Sequence, residues 1–216
     1  WGQFRGANRD GLSPDTGLLK QWPAGGPALL WKATGLGAGY SSVSISTKQL
    51  FTMGDVNGGC HLIALNLEDG KQLWAVKIGN AGAPGGYGGP RCTPATDGMF
   101  VWAISQSGEL VCHQAATGRQ VWKKSLEGDF GGKMMSGWGY SESPLLDGGM
   151  IVVTPGGDRG TVAALNKMTG ALVWQSGELK DSAAYTSLLP IDTGKIRQYV
   201  VLTDRTLAGI MSTTGK

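Results

Sequence analysis

Four tryptophans, Trp31, Trp74, Trp122 and Trp174, recur along this 216-residue chain at intervals of 43, 48 and 52 residues. Three of them end the same short phrase: Asp69-Gly70-Lys71-Gln72-Leu73-Trp74, Thr117-Gly118-Arg119-Gln120-Val121-Trp122 and Thr169-Gly170-Ala171-Leu172-Val173-Trp174. Thr214-Gly215-Lys216 begins the phrase once more. Self-similarity of this period demands a fold built from one supersecondary unit stacked on copies of itself.

Aligning the units on Gly70, Gly118, Gly170 and Gly215 superposes the strands before them. Six residues upstream stand Ala64, Cys112, Ala164 and Gly209, all small, as expected where a buried strand passes beneath a bulky neighbour. The next column, Leu65, His113, Leu165 and Ile210, tolerates burial, so Cys112 and His113 read as packing residues. Further upstream each unit opens on a four-residue phrase: Tyr40-Ser41-Ser42-Val43, Arg91-Cys92-Thr93-Pro94, Ser141-Glu142-Ser143-Pro144 and Tyr185-Thr186-Ser187-Leu188. Its third position always carries a hydroxyl. Between the two phrases runs a β-branched and aromatic strand, such as Met99-Phe100-Val101-Trp102 or Met150-Ile151-Val152-Val153, bounded by Asp-Gly-type turns.

Each unit therefore reads strand A, strand B, strand C, a glycine turn, and a strand D carrying the Trp. The fold class is all-β: a β-propeller of four-stranded antiparallel blades. Blades are expected over about 40–78, 92–126, 141–179 and an incomplete 185–216, following a 1–39 segment with a closing strand at Trp31, in one domain. The indole of each Trp should cover a seam between blades, burying roughly 150–250 Å². The glycine before it should supply the positive φ of a tight turn. Helical periodicity is absent, and only Leu18-Leu19-Lys20-Gln21 offers a helical turn.

Composition narrows the function classes. Charged residues are 16% and glycines number 37, a pairing that suits short strands and tight turns. A net charge of +3, with Lys123-Lys124 as the longest basic run, argues for neither nucleic acid nor a membrane surface. No apolar run approaches the ~18 residues of a bilayer span. Cys60, Cys92 and Cys112 lack metal spacing; they read as three buried thiols, or as one disulfide with a leftover thiol.

In an up-down-up-down blade the D–A connections and B–C loops emerge on one face, where a rigid scaffold holds binding residues on loops. That face gathers Gly79–Arg91 and Gly128–Tyr140, together with Asp55, Asn57, Asp158 and Arg159. The candidate binding residues are accordingly Tyr40, Asp55, Arg91, Lys133, Trp138, Tyr140, Asp158, Arg159 and Tyr185; Trp138 and Tyr140 read first as packing over the channel, and otherwise as platforms for a planar ligand or sugar. No phosphate loop is present: Gly131-Gly132-Lys133 is followed by Met134, with no helix after it. Asp55-Val56-Asn57-Gly58 is oxygen-rich, yet it lacks the acid spacing of an EF-hand and is explained by a turn. His61 and His113 lie in different blades without a third ligand, and no nucleophile elbow occurs. Glu142, beginning a strand A, is the single carboxylate placed to face the channel, with Arg91 as the matching cation.

Ala64-Leu65-Asn66…Gly70…Trp74 and Ala164-Leu165-Asn166…Thr169-Gly170…Trp174 resemble the repeat of pyrroloquinoline-quinone-type (PQQ-like) β-propellers. The opening Trp1-Gly2-Gln3-Phe4-Arg5-Gly6-Ala7-Asn8-Arg9-Asp10-Gly11, with Tyr40-Ser41-Ser42, resembles a planctomycete-type family of them. The resemblance implies a ring of seven or eight blades, of which this chain would be a fragment, and export to the periplasm or beyond. It also implies two functions. One is a binding and interaction scaffold with no catalytic motif and no confident cofactor, as in a lipoprotein of outer-membrane assembly, meeting a protein partner or small ligand at the loop face. The alternative is a quinoprotein dehydrogenase acting on alcohols or sugars, which requires PQQ, calcium and a carboxylate base. The adjacent cysteine pair of quinoprotein alcohol dehydrogenases has no counterpart here.

Overall fold

A computed structural model describes residues 1–82 and 87–216. Ala83 to Gly86, within the glycine-rich connection singled out above, lie outside the described residues. Strands β1 (Ser44–Ile45), β2 (Gln49–Val56), β3 (Gly59–Asn66) and β4 (Gln72–Asn80) form the first blade. The second holds β5 (Ala95–Thr96), β6 (Phe100–Ile104), β7 (Glu109–Gln114) and β8 (Gln120–Ser125). The third holds β9 (Leu145–Asp147), β10 (Met150–Val153), β11 (Ala163–Asn166) and β12 (Leu172–Gln175). Three strands, β13 (Leu189–Asp192), β14 (Arg197–Leu202) and β15 (Leu207–Met211), form the fourth. Every sheet is an antiparallel meander in chain order, so the predicted A–B–C–D sequence is the observed one.

Register explains the small-residue column. Ala64 pairs with Phe51 on one side and Trp74 on the other. Cys112 stands likewise between Trp102 and Trp122, and Ala164 between Val152 and Trp174. A larger side chain there would collide with both neighbours on the same sheet face. All three cysteines are free and buried. Desolvation pushes the Cys60 and Cys112 thiols up to about 12, so they act as small apolar residues.

Each Trp does its work in the next blade. Trp74 Nε1 donates to Ala115 O at 2.8 Å, Trp122 to Lys167 O at 3.0 Å and Trp174 to Ser212 O at 3.0 Å. Trp31 donates to Leu67 O at 3.0 Å. In each case the acceptor lies three residues before the following blade's turn glycine, over which the indole lies flat. Those glycines, Gly70, Gly118, Gly170 and Gly215, have φ of 69°, 71°, 69° and 75°. The requirement for glycine is therefore double: left-handed backbone, and space for the neighbour's ring. A Cβ at Gly118 would stand 2.8 Å from Trp74 Cδ2, and one at Gly170 2.8 Å from Trp122 Cδ2.

Two expectations need correction. Residues 27–37 form no strand; Trp31 is held by its indole on the Gly70 turn, and the segment joins the first sheet through the single bridge Ala38–Asp55. Helix, conversely, appears where a loop was expected: α1 spans Leu126–Phe130 and none forms at Leu18 to Gln21. Ser125 caps α1 by accepting from Gly128 N, and Gly131 ends it in the left-handed region. Five residues are too few for a helical period to register in sequence, so only the two caps announce it.

Residues 1–9 run across the innermost strands. Ile45 N donates to Trp1 O, Thr96 N to Gly2 O, and Leu146 N to the Gln3 side chain. Arg9, only 2% exposed and at φ 58°, donates to Leu188 O and Ser143 O at 3.0 Å each, and also to Pro144 O. The segment thus touches all four blades in order.

Candidate functional site

The four-residue phrase that opens each unit assigns its positions to different tasks. Third-position hydroxyls link blades: Thr93 N donates to Ser143 Oγ, and Ser143 N to Ser187 Oγ, both at 2.9 Å. Second-position side chains pin the start of strand A to the end of strand B. Ser41 Oγ accepts from Met53 N, Cys92 Sγ from Ile104 N and Glu142 Oε1 from Thr154 N, while Thr186 Oγ1 donates to Leu202 O. First-position residues are left over, and they converge. Tyr40, Arg91, Ser141 and Tyr185 all line one groove of about 630 Å³ at the mouth of the blade axis.

Trp138, Ser143, Thr186 and Ser187 complete its walls, with Phe4 and Arg5 of the N-terminal segment. Arg91 is fixed in place. Its guanidinium lies 5.4 Å from the Tyr40 ring centre and 5.6 Å from that of Trp138. It also donates to Trp138 O at 3.2 Å and Tyr87 O at 2.7 Å. Tyr87 in turn stacks on Trp138 at 5.1 Å. The result is a layered clamp of ring, cation, ring and ring that holds two connections together. The Tyr185 hydroxyl is tied to Ser136 Oγ, which orients its ring.

The remaining candidates scatter. Tyr140 is buried and donates its hydroxyl to Pro155 O, so it packs beneath the loops and offers no platform to a ligand. Lys133 lies in a neighbouring groove of about 410 Å³ with Gln106, Glu127, Met134 and Ser136. That groove joins a B–C loop to a D–A connection, as expected of loops sharing one face. Asp55 accepts from Gly82 N and from the Gln106 amide, bracing the two loops together. Arg159 donates to Asp129 O; neither it nor Asp158 lines the main groove. Phe4 and Arg5 escaped sequence reasoning because an irregular segment has no period from which its facing residues can be read.

Glu142 is not turned toward the groove. It is 2% exposed, and its neighbours Ser141 and Ser143 face the groove in its place. Burial raises its carboxyl to about 7, against the pull of the Thr154 hydrogen bonds and the charge of Arg9. Ser41, Cys92 and Thr186 do the same strand-pinning work in the other units. A base must reach its substrate, and this carboxyl faces the blade interior.

Asn57 and Gly58 have φ of 47° and 75° and form the two-residue hairpin turn between Val56 of β2 and Gly59 of β3. The groove lining contains no carboxylate, and the described residues include no group of three His, Cys, Asp or Glu placed to share a cation. His61 Nδ1 pairs with Gly59 O and His113 Nδ1 with Gly118 O, so both serve backbone.

A family profile described as outer membrane protein assembly factor BamB matches residues 58–216. A comparison with curated protein sequences returns no match. Among solved structures, BamB from Moraxella catarrhalis aligns with a TM-score of 0.54 at 21% identity, over 86% of this chain and 54% of that one. Quinohemoprotein alcohol dehydrogenase ADHIIG from Pseudomonas putida HK5 aligns with a TM-score of 0.61 at 14% identity, over 88% and 35%. The computationally designed Ika4 protein aligns with a TM-score of 0.58 at 14% identity, over 86% and 98%. At these identities the likeness is one of fold. The chain spans about half the length of that BamB structure and about a third of the dehydrogenase.

Proposed function

The chain belongs to the family of the outer membrane protein assembly factor BamB, and from that premise we propose that it is a binding scaffold which engages a protein partner at the groove on its loop face. One observation carries this reading. The first-position residues of four successive repeats, Tyr40, Arg91, Ser141 and Tyr185, meet around a single groove, while the second-position residues, Glu142 among them, are consumed by internal strand bonds. The repeat thus brings one first-position side chain per blade to the groove, beside Ser143, Thr186 and Ser187, whose hydroxyls also hold internal bonds. Work in the bacterial envelope, outside the cytoplasm, follows from the same family premise.

Photocrosslinking in the native host tests it. A crosslinker at position 138, on the groove rim, should capture a discrete partner, whereas one at position 69, on the glycine-turn side, should not. Equal capture at both positions, or none at 138, would count against the scaffold. The competing dehydrogenase predicts instead that PQQ with calcium produces a spectral change and dye-linked oxidation of alcohols or sugars.

A further inference from the structure

We propose that the groove receives an acidic, extended peptide segment of the partner, with its carboxylates on Arg5 and Arg91 and an apolar side chain against Tyr185. The inference rests on the scaffold reading and names the chemistry of its partner.

The groove is rich in donors and poor in acceptors. Two guanidiniums line it with no carboxylate, and neither Arg5 nor Arg91 belongs to an ion pair among the described residues. Arg91 spends part of its donor edge on Trp138 O and Tyr87 O, which orients the remainder. Ser143 and Ser187 accept backbone N–H bonds through Oγ, so each hydroxyl proton is left to donate. Ser141 Oγ is buried without a partner, so Ser141 lines the wall and offers no exposed donor. Two cations of one sign, Arg91 held in a fixed orientation, with the Ser187 hydroxyl proton beside them, are complementary to carboxylates, which only accept.

Shape selects a chain over a compact ligand. Trp138 lines the first groove while its chain neighbours Gly137 and Gly139 line the second together with Lys133 and Glu127, so the two grooves flank one connection, a layout suited to an extended chain. Tyr185 is 40% exposed with its hydroxyl anchored, which presents a fixed apolar face at little entropic cost.

The test is fluorescence anisotropy with a fluorescein-labelled nonapeptide of alternating Glu and Leu, and its Gln-for-Glu analogue, added to the whole chain. The Glu peptide should bind at least tenfold more tightly than the Gln peptide, and more weakly as NaCl rises from 50 to 500 mM. Arg5→Gln and Arg91→Gln should each weaken binding roughly tenfold, and Arg119→Gln, at the opposite end of the strands, should leave it unchanged. The Arg5 side chain makes no hydrogen bond among the described residues and only rests 6.0 Å from the Phe4 ring centre, so Arg5→Gln remains informative even if Arg91→Gln loosens the clamp. Equal binding of both peptides, no binding, or indifference to Arg5→Gln overturns the proposal. So does displacement by free phenylacetate at the peptide's own Kd, which would mark a small-molecule site. A partner crosslinked at 138 through a stretch without acids sinks this proposal and leaves the scaffold standing. Retained Glu-peptide binding with no crosslinked partner leaves the groove's preference for carboxylates standing, but counts against the scaffold and with it the partner segment.

Discussion

Glu142 shows how a repeat can disguise a structural residue as a functional one. It occupies a column otherwise filled by Ser41, Cys92 and Thr186, each of which ties strand A to strand B. A carboxyl in that place bonds Thr154 N, but burial favours its neutral form and raises it to about 7. The charged groups around it are Arg9, which favours the ionised form, and the ionisable Cys92 and Tyr140, themselves pushed upward by burial and by Glu142. A carboxyl raised in the folded state favours folding at low pH. That advantage is complete below its unfolded value near 4.5 and is lost as pH rises through about 7. Urea unfolding of Glu142→Gln should therefore show a flatter stability profile between pH 5 and 8 than the parent, with the two differing in slope by an amount on the order of 3 kcal/mol across that range. Parallel profiles would mean that Glu142 does not titrate in the window.

Blades are joined by a device that a single strand does not reveal: the indole of one unit lies on the glycine turn of the next. Gly118→Ala would force a left-handed backbone on a residue with a Cβ and drive that Cβ into Trp74. It should cost roughly 2 kcal/mol or more. Trp122→Ala removes the ring and its bond to Lys167 O, and should cost roughly 3–5 kcal/mol. Because both substitutions act on seams of the second blade, hydrogen exchange should rise first in β5–β8 and the turns flanking them. Uniform exchange across all four blades would contradict a seam-local role.

The strands alone leave the axis of the molecule open to residues 1–9, which bond to every blade in turn. Arg9 adds a tie between the third and fourth, since its guanidinium holds carbonyls of both. Arg9→Ala should lower stability by roughly 3–5 kcal/mol, because three carbonyls lose a charged donor and Glu142 loses its compensating charge. The fourth blade should loosen first, seen as early proteolysis within residues 185–216. The same segment supplies Phe4 and Arg5 to the groove. Removing residues 1–9 should thus weaken both the melt and Glu-peptide binding, whereas Arg5→Gln should weaken binding alone.

The sequence by itself determined the repeat, the order of strands, the glycine turns and the small column beneath each Trp. All of these are local signals, repeated with a period, and each copy reports the same backbone geometry. It also placed Tyr40, Arg91, Trp138 and Tyr185 on one face, since strand direction settles which ends of the blades their connections share. Tertiary structure decided the rest: that each indole serves the following blade, that Glu142 faces inward, that Tyr140 is buried, and that an irregular N-terminal segment crosses the axis and completes the groove. Those outcomes depend on contacts between residues as far apart as Arg9 and Leu188, and no local period encodes a contact of that range.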